Sequence, residues 1–381
     1  MLTLVLTLLL QAVIGQTLPD WTPGTMDIHV INAGRGECSF MIFPDGTTMA
    51  IDAGEYVDYK GKYPNVAARP DSTVRPYQVY AGYIRHFLPK GHDRIDYFVL
   101  THYHMDHMGR VEKQFAKDPQ GHYCLSGVTA LYSEIPFGKL VDRSYPDYSE
   151  TVKLPSTSGN LDFYKDFVNY NVEHRSMEAE KCRVGTSEQF PLLYDSAKYP
   201  DFQVFCYASG GVVWTGDQKE NIGAERENAL SCSLLMSYGD FDYFTSGDSN
   251  ETGIVSIVAA SISRKVDAMK CTHHMSNPLP VSVEMTAFRP QAVLTTSFYV
   301  RKDQPQQSLI QKYGDKADLF FTNIDPSLVA SAPEIYSKCA GIGGHFVIRI
   351  EKGGKSFMIY HLDDTDFSYR VKAVSGPYQS R

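Results

Sequence analysis

Three histidines and one aspartate fall within a single short segment of the chain, Thr101-His102-Tyr103-His104-Met105-Asp106-His107. Imidazole nitrogens and carboxylate oxygens are the ligands that zinc and related divalent ions accept in proteins. The segment follows the apolar run Ile95–Leu100, which has the pattern of a buried strand. An extended chain places His102 and His104 on one side, and a turn at Met105 can then direct Asp106 and His107 to a second point. The spacing therefore predicts a site for two metal ions.

Two later segments offer further ligands. Ser246-Gly247-Asp248 follows a strand pattern, and His273-His274 follows another. Thr215-Gly216-Asp217 has the same local sequence as the segment ending at Asp248, so Asp217 remains an alternative. We favour Asp248 because a pair of strand patterns leads into it and the histidine pair comes next. His122, His174 and Cys271 are predicted to be ordinary structural residues.

These segments together resemble the metallo-β-lactamase superfamily. The sequence His102-x-His104-x-Asp106-His107 is similar to the signature of that family, and the other matching segments occur in family order: Asn32-Ala-Gly34-Arg-Gly36-Glu-Cys-Ser39, Ile51-Asp52-Ala-Gly54, Asn228-Ala-Leu-Ser231, Ser246-Gly247-Asp248 and Lys270-Cys-Thr-His273-His274-Met-Ser276. The likeness extends from about Asp27 to Ser297. The pattern is most similar to the hydrolase domain of bacterial DNA-uptake competence proteins and its free-standing secreted relatives.

The resemblance implies a fold and a role for each matched residue. The fold is α/β, a four-layer αβ/βα sandwich of two mixed β-sheets with the site at the sheet edges. His102 and His104 would hold the first of two divalent ions, and Asp106 and His107 the second, with Asp248 bridging them. The expected ion is zinc, with manganese or iron as alternatives. Of the histidine pair, His273 is favoured as a further ligand of the second metal, and His274 is expected to face the substrate. Asp106 and His274 are the candidates for passing a proton to the leaving group, and Asp52 and Asn228 would support the ligands from behind.

The chain departs from the family pattern at several positions. No further histidine with a matching context lies between the cluster and Asp248, which argues against β-lactamase activity. Glu37 stands where the family has aspartate, and Met275 where it has glycine. Asp303-Gln304-Pro305 stands where relatives often have His-Pro. These differences concern the substrate more than the metal site.

The predicted function is therefore metal-dependent hydrolysis. Two bound ions would lower the pKa of a shared water from about 15.7 toward about 7, which supplies hydroxide at neutral pH. A phosphodiester is the favoured substrate, with an ester, amide or lactone as the wider class. The alternatives are a non-catalytic metal-bound binding module and an iron redox protein, although the chain has no flavin or iron–sulfur motif to serve the latter.

Composition limits the partners of the chain. Its 381 residues carry a formal net charge of −8 and no dense run of lysine or arginine. This predicts a small-molecule or short nucleic-acid substrate and no stable nucleic-acid partner. The oligomeric state is left open.

The surrounding elements are predicted as two mixed sheets covered by helices. Hairpins are indicated at Cys38–Phe43 with Thr47–Ile51, and at Phe346–Ile350 with Ser356–Tyr360. Residues 16–381 are predicted to form a single domain with an insertion at about 111–200 that carries substrate contacts.

The first 15 residues have the pattern of a signal peptide. The apolar run from Leu2 to Ile14 is too short to span a bilayer, and Val13 and Gly15 suit the −3 and −1 positions of a cleavage site. We therefore expect a secreted or periplasmic protein with no transmembrane span in the mature chain. Export would permit one or two disulfides among the seven cysteines, with pairings that the sequence does not specify.

Overall fold

The computed structural model describes residues 13–34, 36–56, 69–71, 73–112, 115–149, 161–298 and 304–381. The first part of the chain alternates strands with helices. The strands are β1 (Met26–Val30), β2 (Ser39–Ile42), β3 (Thr48–Ile51), β4 (Ile95–Val99), β5 (Phe137–Asp142) and β6 (Glu178–Lys181). The helices are α1 (Pro76–Phe87), α2 (Met105–Met108), α3 (Val128–Glu134) and α4 (Asp162–His174).

The second part builds another sheet. Its strands are β7 (Phe202–Ser209), β8 (Val212–Trp214), β9 (Lys219–Asn221), β10 (Ser233–Tyr238), β11 (Phe241–Thr245), β12 (Ala268–Lys270), β13 (Ala292–Thr295), β14 (Asp318–Phe321) and β15 (Cys339–Ile342). The helices are α5 (Thr252–Ser261), α6 (Pro278–Phe288), α7 (Gln307–Tyr313), α8 (Pro326–Ser331) and α9 (Pro333–Tyr336). Short 3₁₀ turns occupy Ser196–Lys198, Glu227–Leu230 and Thr272–Met275.

The chain ends by returning to the first sheet with β16 (His345–Ile350), β17 (Ser356–Leu362) and β18 (Val371–Gln379). Within the described residues, the first sheet has the order β18-β17-β16-β1-β2-β3-β4-β5-β6 and the second has β15-β14-β13-β12-β11-β10-β7-β8-β9. Each sheet is mixed: β3 to β6 and β11 to β15 pair in parallel, and the other neighbours pair antiparallel. Parallel strands bring their carboxyl ends to one edge, and this is where the two halves meet at the candidate site.

Three apolar clusters define four layers. A middle cluster lies between the sheets and includes Ile28, Met41, Met236 and Phe346. A second cluster packs α1 and α4 against the outer face of the first sheet. A third packs α5, α6 and α7 against the outer face of the second sheet. The αβ/βα sandwich of two mixed sheets predicted from the sequence is confirmed.

Strand β1 is buried on both faces, although its alternation predicts a half-buried strand. Met26, Ile28 and Val30 pack between the sheets. On the opposite face, His29 contacts the Tyr83 hydroxyl of α1 at 3.0 Å, and Asp27 accepts two hydrogen bonds from the Arg349 guanidinium of β16 at 2.8 and 2.6 Å. Polar residues can occupy this buried face because each has a partner.

The two predicted hairpins and the strand predicted before the motif agree with the structure to within about two residues at their ends. Residues 111–200, predicted as an insertion, contribute α3, β5, α4 and β6, so much of this region extends the first sheet and its helical cover. Most of the predicted leader, residues 1–12, lies outside the described residues. Among the helices that the structure describes, none is long and apolar enough to cross a bilayer.

Candidate metal centre

The motif segment lies in a loop that leaves the carboxyl end of β4 and enters helix α2. Its backbone is held by two neighbouring loops of the first sheet. The Glu37 N–H donates to the Asp106 carbonyl at 2.8 Å, the Ala53 N–H to the His107 carbonyl at 2.9 Å and the Glu55 N–H to the Met105 carbonyl at 2.8 Å. These bonds fix the direction in which each motif side chain leaves the backbone.

Glycines are required for this close approach. A Cβ atom on Gly54 would lie 1.7 Å from the Asp106 carbonyl oxygen, and one on Gly36 would lie 2.2 Å from the Gly54 carbonyl oxygen. Both distances are far inside van der Waals contact. The glycines of these two segments therefore allow three backbones to pack together beneath the motif.

The second sheet supplies the opposing residues. Asp248 follows β11 through a turn at Gly247, whose φ is +54°, and its N–H donates to the Ser231 hydroxyl at 3.2 Å. His273 and His274 follow β12 in the neighbouring turn. His273, His274 and Met275 all have left-handed backbone angles, with φ of 47°, 53° and 59°. Such strain in non-glycine residues persists where the surrounding structure holds it, often at functional sites.

Asp248 Oδ2 is the point on which the histidines converge. It lies 3.2 Å from His107 Nε2 and 3.3 Å from His274 Nε2. His102 Nε2 and His273 Nε2 each lie 3.9 Å from the same oxygen. The structure thus brings together residues that are separated by up to 172 positions in the sequence (274 minus 102). A single carboxylate oxygen surrounded by imidazole nitrogens from both sheets is the arrangement expected of a shared metal ligand.

Asp52 lies behind the histidines rather than among them. Its Oδ2 is 2.7 Å from His107 Nδ1 and accepts a hydrogen bond from the Thr101 hydroxyl at 2.8 Å. The same hydroxyl is 3.1 Å from His102 Nδ1. One carboxylate therefore orients His107 directly and His102 through Thr101. With their Nδ1 atoms occupied in this way, both imidazoles present Nε2 toward Asp248.

The two members of the histidine pair have different surroundings. His274 is completely buried, its Nδ1 lies 2.9 Å from the Thr296 carbonyl, and its Nε2 is 3.6 Å from Asp106 Oδ2. The His273 side chain is 21% exposed. Its Nδ1 lies 2.7 Å from the Ser276 hydroxyl and its Nε2 lies 3.1 Å from the Asn228 amide nitrogen. His274 thus lies inside the cluster, while His273 and Asn228 lie at its open side.

His104 and Asp106 complete the motif. His104 Nδ1 is 3.1 Å from His102 Nε2, so this pair of nitrogens can converge on one point. The Asp106 carboxylate approaches His274 rather than the His102–His104 pair. Within the motif, His102 therefore lies next to both His104 and His107, with ring centroids 4.8 and 4.2 Å away, while Asp106 lies toward His274.

Two buried charged residues at this centre were not singled out as site residues by the sequence. One ligand atom each from Glu37, His107, Asp248 and His274 lie within 4.8 Å of one another. Lys270 is 1% exposed, and its ammonium lies 2.9 Å from Glu37 Oε1 and 3.6 Å from Asp248 Oδ1. The only signal for them was a carboxylate within the first glycine-rich loop and a lysine at the end of an apolar strand pattern.

Glu37 is better described as a support than as a ligand. Its Oε1 is engaged by Lys270, and its Oε2 accepts a 2.6 Å hydrogen bond from the Thr296 hydroxyl. Thr296 also supplies the carbonyl that faces His274 Nδ1. Both carboxylate oxygens of Glu37 already have protein partners. Glu37 therefore positions Thr296, which in turn contacts His274.

The charges of the centre strongly perturb its titration. Burial alone would lower the pKa of His107, but the Asp248 and Asp52 carboxylates raise it well above its ordinary value. The same competition between burial and Asp248 raises the pKa of His274 to about 9. Burial and the neighbouring His107 and His104 keep the pKa of His102 well below its ordinary value. Carboxylates therefore dominate the potential at His107 and His274, as a cation site requires.

Several buried polar atoms at the centre lack a hydrogen-bond partner within the described part of the chain. They are His107 Nε2, His274 Nε2 and Asp248 Oδ1, together with His104 Nε2, the nitrogen of that ring that does not contact His102. Buried polar groups normally have partners, so a group of unpartnered ligand atoms indicates that something else binds them. A divalent cation fits this donor set, because it accepts imidazole nitrogen and carboxylate oxygen together.

The remaining candidates lie elsewhere. Asp217 is exposed in the turn between β8 and β9, where it accepts from the Thr215 hydroxyl at 2.8 Å. His122 lies 3.1 Å from Asp118 and stacks on Tyr170, and His174 is half-exposed beside Glu173. Cys271 is buried in the apolar cluster behind the second sheet. Asp303 lies outside the described residues, and Gln304 is buried.

Comparison with known proteins found similar solved structures but no matching family model or curated protein. Zn²⁺-bound PqqB from Methylobacterium extorquens matches with 14% identity and a TM-score of 0.39, over 84% of this chain and 99% of that one. A long form RNase Z from yeast matches with 12% identity and a TM-score of 0.35, over 73% of this chain and 38% of that one. The fold assignment rests on the two sheets and their helical layers.

Proposed function

We propose that the chain is a metal-dependent hydrolase with two divalent ions, zinc by preference and manganese or iron as alternatives. The observation that carries the proposal is the convergence of four imidazole Nε2 atoms within 3.9 Å of one Asp248 oxygen. We retain the competence-protein branch of the metallo-β-lactamase superfamily as the expected relative.

The distances support one assignment of ligands to each ion. His102 and His104 hold the first ion, because their Nε2 and Nδ1 atoms are 3.1 Å apart. Asp106, His107 and His274 hold the second, and Asp248 lies between the two groups. This assignment exchanges the roles that the sequence favours for the histidine pair: buried His274 is the ligand, and partly exposed His273 faces the substrate.

Charge balance supports two ions rather than one. The centre contains three buried carboxylates, from Glu37, Asp52 and Asp248, a fourth from Asp106 that is 13% exposed, and the buried ammonium of Lys270. With neutral imidazoles the formal charge of the centre is −3 (one positive and four negative charges). One divalent ion leaves this interior negatively charged, and two give it a net charge of +1. A weakly positive centre suits an anionic substrate such as a phosphodiester.

The residues of this chain would each have a defined part in hydrolysis. Bound ions supply a water of lowered pKa and polarise the bond to be cleaved. Asp52 and Thr296 hold His107 and His274 in one tautomer, so that Nε2 stays available as a ligand. His273, held at Nδ1 by Ser276 and with Nε2 3.1 Å from the Asn228 amide nitrogen, lies at the open side and is the first candidate for passing a proton to the leaving group. Asp106 is the second candidate for this proton transfer.

A panel of substrates tests the reaction class. The metal-loaded protein is assayed with bis(p-nitrophenyl) phosphate, p-nitrophenyl acetate, an aliphatic lactone and a chromogenic β-lactam, beside an Asp106→Asn variant that controls for metal in solution. We expect turnover of the diester that the variant loses. Cleavage of only the ester or lactone would replace the proposed substrate class. Bound metal without turnover of any probe would favour the non-catalytic binding module.

We also propose that the chain is exported and cleaved after Gly15. The Gly15 N–H donates to the Val371 carbonyl at 2.8 Å, and the Gln16 carbonyl accepts from the Val371 N–H at 2.9 Å. Cleavage at this bond would leave the contact made by Gln16 intact. The intact mass of the exported protein tests this, since a chain that retains residues 1–15 would contradict it.

A further inference from the structure

We propose that Cys182 and Cys206 form a disulfide that joins the two sheets when the chain folds under oxidising conditions. Cys182 directly follows β6 at the edge of the first sheet, and Cys206 lies in β7 of the second. Their sulfur atoms are 3.4 Å apart. A bond between them would be a covalent link across the central layer of the sandwich.

The backbone around the pair is already fixed in position. The Gly185 N–H donates to the Cys206 carbonyl at 2.8 Å, and the Cys206 N–H donates to the Thr186 carbonyl at 3.4 Å. The segment after Cys182 is therefore tied to β7 at Cys206 itself. A disulfide has an S–S distance of about 2.05 Å, so the sulfurs need to approach by about 1.3 Å, a distance that small side-chain rotations can supply.

A third thiol, Cys232, also lies near the pair: a hydrogen bond with Cys182, together with burial, raises the pKa of Cys232 well above its ordinary value. Its sulfur is 3.4 Å from the Ser209 hydroxyl, and its N–H donates to the Thr101 carbonyl at 3.1 Å. The three thiols do not form a metal site: among the described residues, the only group of metal-ligand atoms within 4.8 Å of one another is the one at Asp248. The 3.4 Å contact between the Cys182 and Cys206 sulfurs therefore favours a bond between these two cysteines, with Cys232 left as a thiol.

The bond must form before the sheets close. Cys182 and Cys206 are 3% and 1% exposed, and the hydrogen bond with Cys206, together with burial, raises the pKa of Cys182 well above its ordinary value. A thiol in this state is a poor nucleophile and is out of reach of an oxidant. During folding, one thiolate attacks a small-molecule disulfide and releases one thiol. The second cysteine then displaces the other half, so the two cysteines lose two protons and two electrons and the oxidant becomes two thiols.

The disulfide would constrain the part of the first sheet that lies next to the motif segment. The Cys182 N–H donates to the Asp142 carbonyl at the end of β5, next to the strand that carries His102. A cross-link between residues 182 and 206 closes a loop in the unfolded chain and so favours the folded state. The thermal midpoint should therefore fall when the bond is reduced.

Differential alkylation tests the proposal. The full chain is refolded with a reduced and oxidised glutathione mixture, denatured, and blocked with one alkylating reagent, then reduced and labelled with a second before peptide mass spectrometry. We expect the second label at Cys182 and Cys206 and the first label at Cys232. The unreduced digest should contain the corresponding cross-linked peptide.

Single-cysteine variants distinguish the effect of reducing this disulfide from any other effect of the reductant on stability. Reductant should lower the melting temperature of the wild type and of Cys124→Ala, a buried cysteine outside the pair, but should leave that of Cys182→Ala and Cys206→Ala unchanged. The first label at both cysteines of the pair would overturn the proposal. So would a Cys182–Cys232 peptide, or an undiminished effect of reductant in the two single variants.

Discussion

Asp52 lies behind the motif histidines, yet it orients two of them. Its carboxylate accepts from the Thr101 hydroxyl and lies 2.7 Å from His107 Nδ1, and Thr101 connects it to His102. Partners of this kind set the tautomer and the direction of a metal-binding imidazole. We therefore expect Asp52 to affect metal affinity, although it lies away from the open side of the centre.

We predict that Asp52→Asn weakens metal binding by about 10–100-fold, because an amide oxygen is a poorer acceptor for the His107 N–H and the Thr101 hydroxyl. Competition with a zinc chelator measures the change. Asp217→Asn is the control, since Asp217 lies in an exposed turn of similar local sequence. Equal zinc affinity for wild type and Asp52→Asn would contradict the orienting role.

Variants of His273 and His274 should affect metal binding and turnover differently. His274→Ala removes a buried nitrogen from the second ion, so about one equivalent of metal should be lost. His273→Ala should keep the metal and lower kcat by about 10²- to 10⁴-fold, as expected for loss of a proton donor. Metal analysis beside kinetics checks both. Loss of metal from His273→Ala with retention in His274→Ala would restore the assignment favoured by the sequence.

Among individual residues, the sequence identifies most readily those whose side-chain type is required for binding a metal ion. The histidines and Asp106 were identifiable because so dense a cluster of metal-binding residue types rarely occurs without a metal site. The contact between Glu37 and Lys270 could not be predicted from the sequence. This buried ion pair forms only when two segments that lie far apart in the chain meet in the folded protein. Asp248 and Asp217 follow similar residues, Ser-Gly and Thr-Gly, and only the elements before and after each aspartate distinguish them.

Among the elements, the glycine segments of the first sheet determine how closely the motif loop can approach. Gly54 contacts the Asp106 carbonyl and Gly36 contacts Gly54, so any side chain there would separate the backbones. The loop after β3 consequently acts as the base on which helix α2 rests. At Gly54 the sequence of this loop is constrained by the space available, whereas at Asp52 it is constrained by the contacts with Thr101 and His107.

We predict that Gly54→Ala destabilises the chain by roughly 1–3 kcal/mol or more and reduces metal content, because the new Cβ would overlap the Asp106 carbonyl. Gly253→Ala in α5 is the control, since no atom lies within 4 Å of the position of its Cβ. That variant should lie within about 1 kcal/mol of wild type. Urea unfolding measures both, and equal stability of the two variants would refute the requirement for close packing at Gly54.

The central strands and hairpins could be predicted because apolar periodicity and turn residues are local signals. Strand β6 could not, because its sequence Glu178-Ala-Glu-Lys181 is polar and pairs only at a sheet edge. Strands β14 and β15 were also missed, since each has only four residues, too few to show an alternating pattern. Tertiary pairing, rather than intrinsic propensity, places these elements.

In the whole molecule, one carboxyl group is buried in the helical layer that covers the second sheet. Glu284 of α6 is 1% exposed, and burial raises its pKa from 4.5 to about 8. Its Oε1 accepts from the Thr272 hydroxyl at 2.6 Å, while Oε2 has no partner among the described residues. The folded chain therefore binds this proton more tightly than the unfolded chain does.

Because the folded pKa is raised, the stabilising contribution is complete below about pH 4.5 and is lost as the pH rises through about 8. We predict that Glu284→Gln, which cannot ionise, becomes progressively more stable than wild type across this range, by several kilocalories per mole at the alkaline end. Unfolding at a series of pH values measures this difference. Glu251→Gln, at an exposed residue, should show none; a pH-independent difference for Glu284→Gln would contradict the burial of a protonated carboxyl.

The most direct test of the central claim combines metal analysis with turnover of bis(p-nitrophenyl) phosphate, for wild type, Asp248→Asn and Asp217→Asn. We expect close to two equivalents of metal and measurable turnover in wild type and Asp217→Asn, with both reduced in Asp248→Asn. A wild-type protein that binds no metal after reconstitution with zinc and with manganese would contradict the claim of a dinuclear metal centre.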